Sequence, residues 1–590
     1  MPDTHPRPGT APGEHLARVA AARRGTAQAT QRPFRRSIGR LMAIALAALT
    51  LQSCGGGGGG EPQPPGPLPI RCAAPLSAAD ATNLGDPLFG EQWHLANTGQ
   101  SGGLPGEDLR ASAAWERLRQ AGCSPGGGVT VAVLDQAIDL THPDLVENRA
   151  AGLSFDYRDW SATDPLPRDN DGLSTEQRAH GTSVAGIIGA RGGNGIGGSG
   201  VAPRAQLAAY NPLAREGWIP DALTRNLDRI DVYHNSWGSP DNGRLSHAVP
   251  GFQSAIESGL IDGRGGLGAL YVFAAGNGGC LGYPLVNCRE NVDLSNYDGY
   301  LNHRGVIVAC AFDHKGVRPR WAERGSNLLV CGPSGPALDA TGDAQRAITT
   351  STLNGGYRAD FANSSASAPM VSGVIALMLS ANVNLSARDV RLILAQSARR
   401  NDPLNNEWED AGARGGFAFN PNYGFGAVDA DRAVELARTW KNVGTDAQLM
   451  SCTVSRQDTD PKGAPVAIPD GQPTGLATLL RVEPGCTSRP IEHIEHVELR
   501  LDIDHQYIGD LRMVLTSPSG TTSLLARERD CGARASGKMD DCGAYTDKWP
   551  IASVRHLNEP AVGDWRLEIS DRVSGRMGSL RSWTLRIWGR

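Results

Sequence analysis

Between about residue 85 and residue 440, short apolar runs alternate with longer blocks of small residues. Val129-Thr-Val-Ala-Val-Leu134 is one such run, β-branched, uncharged, and ending on Asp135. Strands apolar on both faces are what a parallel sheet covered by helices requires. The blocks that follow His180 and Ser364, VSGVIALMLS (371–380) among them, predict helices packed into a core. From about Cys452 the period changes to two. HIEHVELRLDIDH (493–505), GDLRMVLTSPSG (509–520), GDWRLEISD (563–571) and SLRSWTLRIWG (579–589) alternate apolar and polar positions, and Ser-Pro-Ser-Gly marks a turn. The pattern predicts an α/β domain with a parallel sheet over 76–443, a short linker, and an all-β, jelly-roll-like sandwich over 449–590.

Composition agrees. The 590 residues include 74 Gly and 38 Pro, so turns are frequent, and the length calls for more than one core. The formal charge of −5 conceals an asymmetry: residues 1–40 hold eight Arg and only two acids. The remainder is distinctly acidic, which argues against nucleic-acid binding and suits cationic substrates and bound cations.

The basic N-terminal stretch leads into LMAIALAALTL (41–51), too short to span a bilayer but right for an export signal. Leu51-Gln-Ser-Cys54 follows and resembles a bacterial lipobox, so residues 1–54 read as a leader ending at an acylated Cys54, and 55–75 as a Gly/Pro-rich tether. An outer-membrane lipoprotein or an extracellular protein is expected, touching a membrane only through its lipid. Ten cysteines remain, consistent with disulfides in an oxidising space. Close spacing suggests Cys280–Cys288, Cys310–Cys331, Cys452–Cys486 and Cys531–Cys542, leaving Cys72–Cys123, although sequence alone does not determine connectivity and buried free thiols are the alternative.

Three segments carry chemistry. Asp135 stands at the end of an apolar strand, His180-Gly-Thr-Ser-Val-Ala-Gly186 opens a predicted helix, and Ser364-Ser365-Ala-Ser-Ala-Pro-Met370 opens another. A serine hydroxyl needs an adjacent base, a histidine supplies one, and an aspartate holds the imidazole's tautomer. Each segment alone has a plain structural reading as a turn, a helix start or a cap. Together and in this order they resemble the three signatures of the subtilisin superfamily. The resemblance implies Ser365 as nucleophile, His180 as general base, Asp135 as its orienting partner, and an oxyanion hole from Asn277, in Phe273-Ala-Ala-Gly-Asn277, with the Ser365 N–H. The sequence departs from the family at Asn363-Ser364, where Gly-Thr is usual, and at Ala137, where Gly is usual.

Ser236-Trp237-Gly238-Ser239-Pro240-Asp241-Asn242-Gly243 and the segment Asn291–Tyr300, ending Asp298-Gly299-Tyr300, resemble the kexin/furin branch, and the C-terminal unit resembles its P-domain. That resemblance implies a primary pocket formed by Ser236, Trp237, Gly238, Asp241, Asp298 and Tyr300, taking Arg before Lys. It also implies calcium at Asp241, Asp293 and Glu323. A second calcium would lie at Asp86, Asp144 and Asn194, with the carbonyls of Arg191, Ile196 and Gly198; carboxylates suit that ion. A third site near Asp156 and Asp164 lacks one acid. Gln136 and Gln177 stand where strictly dibasic relatives have acids, implying a single-basic cutter. Only about 30 residues separate Cys54 from Asp86, too few for the usual folding-assisting pro-domain, so folding unaided or with a separate chaperone is expected. The chain thus reads as a calcium-dependent serine endopeptidase acting on protein or peptide substrates. The alternative is a surface binding protein on a degenerate protease scaffold.

Overall fold

The computed structural model describes residues 71–77, 80, 86–281, 289–290, 293–335, 347–410, 415–531, 542–546 and 549–590. The leader, Cys54, the tether to residue 70, Cys288 and Asn291 lie outside the described residues.

The N-terminal domain is built on a six-stranded parallel sheet. In spatial order its strands are Gln206–Tyr210, Thr130–Leu134, Val232–Asn235, Leu270–Ala274, Val306–Phe312 and Leu328–Pro333. All but Gln206, the first residue of the edge strand, are buried, so these strands are largely apolar on both faces rather than alternating. Helix Ser364–Ala381 runs through the core beside the sheet. It is apolar and long enough to cross a membrane by composition, but 94% of its most apolar window is buried inside the protein, which accounts for that composition.

The helix carrying His180 starts earlier than its sequence signature indicates, at Thr175. Ser174 caps it, and Gln177 completes a capping box by accepting the Ser174 N–H at 2.9 Å. His180 therefore sits in the second turn, and the capping signal six residues upstream, at Ser174, sets the boundary.

The C-terminal domain consists of two antiparallel sheets. One orders Met450–Gln457, Gly578–Gly589, Ile494–His505 and Pro550–Ser553, with Val466–Ile468 also on Gly578–Gly589; the other orders Leu476–Val482, Gly563–Asp571, Leu511–Thr516 and Thr522–Ala526. Trp549, Trp565 and Trp583 fill the core between them. This domain packs firmly against the first. Arg388 meets Glu495 through two nitrogens, Ser326 Oγ donates to Ala552 O at 2.7 Å, and Asn296 Nδ2 donates to the same carbonyl at 2.9 Å. Arg388 and Glu495 are both buried, and such a pair costs much if either partner is lost.

Disulfides join Cys310–Cys331, Cys452–Cys486 and Cys531–Cys542, as spacing suggested, and Cys72–Cys123, the pair left over; Cys280 is also disulfide-bonded.

Candidate active site

Three adjacent parallel strands deliver functional groups at one edge of the sheet. Asp135 follows Leu134, Ser236-Trp237-Gly238 follow Asn235, and Ala275-Gly276-Asn277 follow Ala274. The carboxyl ends of parallel strands are where such folds place their sites. His180 reaches Asp135 because Gly181 allows close approach: a Cβ there would lie 2.3 Å from Ala137 O and 2.9 Å from Asp135 Cβ.

His180 Nδ1 lies 2.8 Å from Asp135 Oδ2, and the other carboxylate oxygen accepts the Gln136 N–H at 2.8 Å. Burial disfavours the imidazolium, but the charge of Asp135 and its hydrogen bond outweigh this and hold His180 above its ordinary pKa. The Phe361 ring packs edge-on against His180, with centroids 5.5 Å apart.

Ser365 lies in the first turn of its helix. Its Oγ donates to Ser236 O at 3.2 Å, and no hydrogen bond joins it to His180 here. Such contacts are commonly loose before substrate binds. Pro369 removes the donor that would serve the Ser365 carbonyl four residues back, and Ser236 Oγ donates to that carbonyl instead, at 3.1 Å. Ser236 Oγ also meets His234 Nε2 at 2.7 Å, and His234 Nδ1 meets Ser372 Oγ at 2.9 Å. Burial pushes His234 down to about 3, so this relay is neutral and serves to lock the Ser365 turn. Sequence reasoning missed His234 and Ser372. Their trace in the sequence is the polar pair His234-Asn235 ending a short strand that is otherwise buried and nonpolar.

Asn277 Oδ1 accepts both the N–H and the hydroxyl of Ser364. Its amide nitrogen must then face the other way, toward the pocket, where Asp241 takes a hydrogen bond from it.

A cavity of about 250 Å³ opens beside Ser365, lined by Ser236–Asp241, Ala274–Asn277 and Asp298. Asp298 accepts the Ser239 N–H at 2.7 Å, the Ser239 hydroxyl at 3.0 Å and the Tyr300 N–H at 2.8 Å, yet burial pushes its pKa up to about 6. Tyr300 does not wall the cavity as expected. Its ring is buried among Trp237, Phe252 and Phe273, because the bulk of an aromatic is better placed in the core than in a polar pocket, and it acts on Asp298 through its backbone.

Asp241, Asp293 and Glu323 crowd around Gly278, where a Cβ would lie 2.9 Å from Asp241 Cβ and 2.6 Å from Asp293 Cβ. Burial, reinforced by mutual repulsion, pushes Asp293 up to about 7 and Glu323 well above its ordinary range. Among the described residues no three His, Cys, Asp or Glu side chains stand arranged as a ready metal cage; here the carboxyls of Asp241 and Glu323 hydrogen-bond to one another. The donor chemistry nevertheless fits a hard cation, since three carboxyls so close cannot all ionise without one.

Asp86 and Asp144 meet the turn from Arg191 to Gly198. Asp86 accepts the N–H groups of Gly193 and Gly195, each at 2.8 Å; Asp144 accepts Asn194 Nδ2 at 2.9 Å and the Gly198 N–H at 3.2 Å. Ile196 N–H turns inward to Asn194 Oδ1, at 3.1 Å, and Arg191 N–H bonds the Asp144 carbonyl at 2.8 Å. Asp144, pushed up to about 6 by burial, also hydrogen-bonds Tyr357, which the sequence did not flag. Asp156, by contrast, is held by Arg158 and Arg168, and Asp164 by Arg149, so guanidinium groups already compensate these acids. Gln177 is engaged by the capping box described above.

The Subtilase family profile matches residues 126–426 and the proprotein convertase P-domain profile matches residues 494–587. The chain is 33% identical over 493 residues to the PC3-like endoprotease variant B of Hydra vulgaris, covering 82% of this chain and 63% of that one. It is 31% identical over 520 residues to Saccharomyces cerevisiae kexin, covering 87% and 57%, and 32% identical over 520 residues to mouse neuroendocrine convertase 2, covering 86% and 74%. It thus spans less than two thirds of the Hydra and yeast proteins. The crystal structure of the Aeromonas sobria serine protease superposes with a TM-score of 0.72 at 26% identity, covering 89% of this chain and all of that one. A second structure holds that protease with the chaperone ORF2, at a TM-score of 0.68 and 26% identity, covering 88% and 99%. A parallel sheet presenting Asp135, His180 and Ser365 at one edge, joined to a two-sheet antiparallel domain, therefore belongs to the subtilase family of serine proteases, in the branch related to kexin and the proprotein convertases.

Proposed function

We propose that this chain is an exported, calcium-dependent serine endopeptidase that cuts peptide bonds after a single basic residue, Arg before Lys. The observation that carries the reading is the 2.8 Å His180–Asp135 contact beside a cavity bordered by buried carboxyls and opening at Ser365.

In this reading the Ser365 hydroxyl turns from the Ser236 carbonyl toward His180 when substrate binds. Its oxygen adds to the scissile carbonyl as His180 Nε2 takes the proton, and Asp135 stabilises the imidazolium. The new oxyanion is met by the Asn277 amide and by the Ser365 N–H, free at the helix N-terminus. The C–N bond breaks, and His180 returns its proton to the leaving amine. Water repeats the sequence on the acyl ester, regenerating Ser365.

Arg is preferred because its planar fork can meet two acceptors, and because buried carboxyls without a cation are costly. Ser239 already satisfies part of Asp298, which tempers the preference. Gln136 and Gln177 offer no charge to the preceding residue. Calcium, when bound at Asp241, Asp293 and Glu323 and at Asp86, Asp144 and Asn194, supplies positive charge that lets these carboxyls ionise together. A separate chaperone assists folding, a reading supported by the Aeromonas sobria complex, and an acylated Cys54 anchors the protein. Finding the wild-type protein soluble with an unmodified N-terminus beyond Gly60 would refute the anchor.

A fluorogenic peptide panel varying the last two residues before the scissile bond tests the activity, with a fluorophosphonate probe reporting on Ser365. Ser365→Ala should fold and neither label nor hydrolyse. An Arg→Ala change at the last position that alters kcat/KM by less than about threefold, below one kcal/mol, would refute the pocket assignment. An absolute need for a basic residue one place earlier would refute the single-basic reading.

A further inference from the structure

The cavity is lined by the protease domain, but one of its walls is held in place by the second domain. Its Asp241–Arg244 turn is held from two sides at Gly243, whose φ of 75° suits glycine. The Gly243 N–H donates to Asp293 Oδ2 at 2.8 Å. The Gly243 carbonyl accepts the Nε–H of Arg529, which comes from the P-domain, at 2.6 Å. Arg529 is only 7% exposed, and its guanidinium lies 3.7 Å over the Tyr297 ring. Tyr297 grips the same P-domain segment, its hydroxyl accepting the Arg527 N–H at 3.1 Å. Beside these contacts, Arg244 Nε donates to Cys531 O at 3.2 Å and the Leu245 N–H to Cys542 O at 2.9 Å, tying the turn to a P-domain disulfide.

Arg529 is an expensive residue to place there. Burying a guanidinium costs several kcal/mol in order of magnitude, and beyond Nε its one side-chain hydrogen-bond partner among the described residues is the buried Tyr545 hydroxyl. The Tyr297 face and the charge of Asp293 offset part of that cost. An aliphatic residue would pack the two domains together without the penalty. What only Arg adds is a directed donor on the Gly243 carbonyl and a positive charge near Asp293.

We infer that Arg529 is a positioning residue for the primary pocket: through it the P-domain holds the Asp241–Arg244 turn against Asp293, so that recognition of the residue before the scissile bond depends on the second domain. The inference rests on the pocket reading above. Asp241 and Arg244 both line the cavity, and Gly243, between them in the same turn, is the residue held from both domains. Methionine at 529 would retain apolar contact with Tyr297 and release the carbonyl. Lysine would retain the charge and one donor without the planar fork.

The test compares full-length wild type, Arg529→Met and Arg529→Lys by hydrogen exchange and by peptide kinetics. Exchange in peptides spanning 241–246 should accelerate roughly tenfold in Arg529→Met and less in Arg529→Lys. The Arg-over-Ala ratio of kcat/KM should fall about fivefold in Arg529→Met, mainly through KM for the Arg peptide, with partial rescue in Arg529→Lys. Unchanged exchange in the turn overturns the inference. So does a loss equal on Arg and Ala peptides that follows melting temperature alone, which is what a merely structural role predicts. If wild type itself does not prefer Arg, the pocket reading fails while the exchange comparison still decides whether Arg529 holds the turn. If Arg529→Met does not accumulate folded, Arg529→Lys against wild type decides the question by the same two readouts.

Discussion

Ser364 donates twice to one atom of Asn277: its N–H at 2.9 Å and its hydroxyl at 2.8 Å both meet Oδ1. An atom that accepts two donors is the oxygen, so this contact sets which end of the amide faces the pocket. The residue just before the proposed nucleophile thereby orients the proposed oxyanion donor.

Ser364→Ala keeps the backbone donor and loses the hydroxyl. One neutral hydrogen bond is worth about 0.5–1.5 kcal/mol, so kcat should fall roughly two- to tenfold with KM little changed. Asn277→Ala removes the donor itself and should lower kcat by about a hundred- to a thousandfold, the range for such a donor in a subtilase. Steady-state kinetics of both variants provide the check, and an unchanged kcat in Ser364→Ala would reject the orienting role of its hydroxyl.

Asn363 stands at φ 68° and ψ −178°, a region that is essentially glycine's own. Its carbonyl is pinned there by the Ser334 hydroxyl at 2.8 Å. Strain of this kind costs about 1–3 kcal/mol, and glycine returns about 0.5–1 kcal/mol through the entropy of the unfolded chain. Asn363→Gly should therefore raise the unfolding free energy by about 1 kcal/mol, measured in urea, whereas Asn363→Ala should not. A destabilised Asn363→Gly would show that the Asn side chain contributes more than its backbone strain costs.

Removal of calcium should abolish activity and lower the melting midpoint. A ligand bound only by the folded form at a hundredfold its dissociation constant contributes about 2.7 kcal/mol. Its loss also leaves clustered carboxyls repelling one another. Calorimetry and peptide hydrolysis before and after exhaustive chelation measure both effects, and Asp293→Asn and Asp144→Asn separate the two clusters. Identical curves with and without chelator would dispose of both calcium assignments.

His94 is fully buried, neither ring nitrogen has a hydrogen-bond partner among the described residues, and burial pushes its pKa down to about 3. Its folded pKa lies below its unfolded value, so the unfolded chain takes up the proton first as pH falls. Above about pH 7 it contributes nothing to pH dependence; below about pH 6.5 it removes up to about 1.4 kcal/mol per pH unit down to its folded pKa. His94→Leu should flatten the acid side of the stability profile between about pH 6 and pH 4 by that slope. Urea midpoints stepped across this range give the answer, and parallel profiles would count against it.

Much of this molecule is legible from short segments. The apolar strand ending on Asp135, the small-residue helix around His180 and the helix from Ser364 are local patterns, so the parallel α/β domain and the identity of the three candidate catalytic residues can be read from sequence. The two-residue period after Cys452 likewise announces an antiparallel domain, and close cysteine spacing anticipates three of the disulfides seen, with Cys72–Cys123 left as the remaining pair. What sequence could not decide depends on residues distant along the chain. Tyr300 looks like a pocket residue beside Asp298, but the sheet turns its ring into the core against Phe252 and Phe273. Gln177 stands where strictly dibasic relatives have an acid, and only the fold shows that Ser174 engages it in a helix cap. His234 and Ser372 meet only across the interior, and Arg529 reaches Gly243 from 286 residues away. Periodicity and motif report what neighbouring residues share. Which side chain fills which gap between elements is settled by packing and by the need to pair buried polar groups, and that is decided only when the chain is folded.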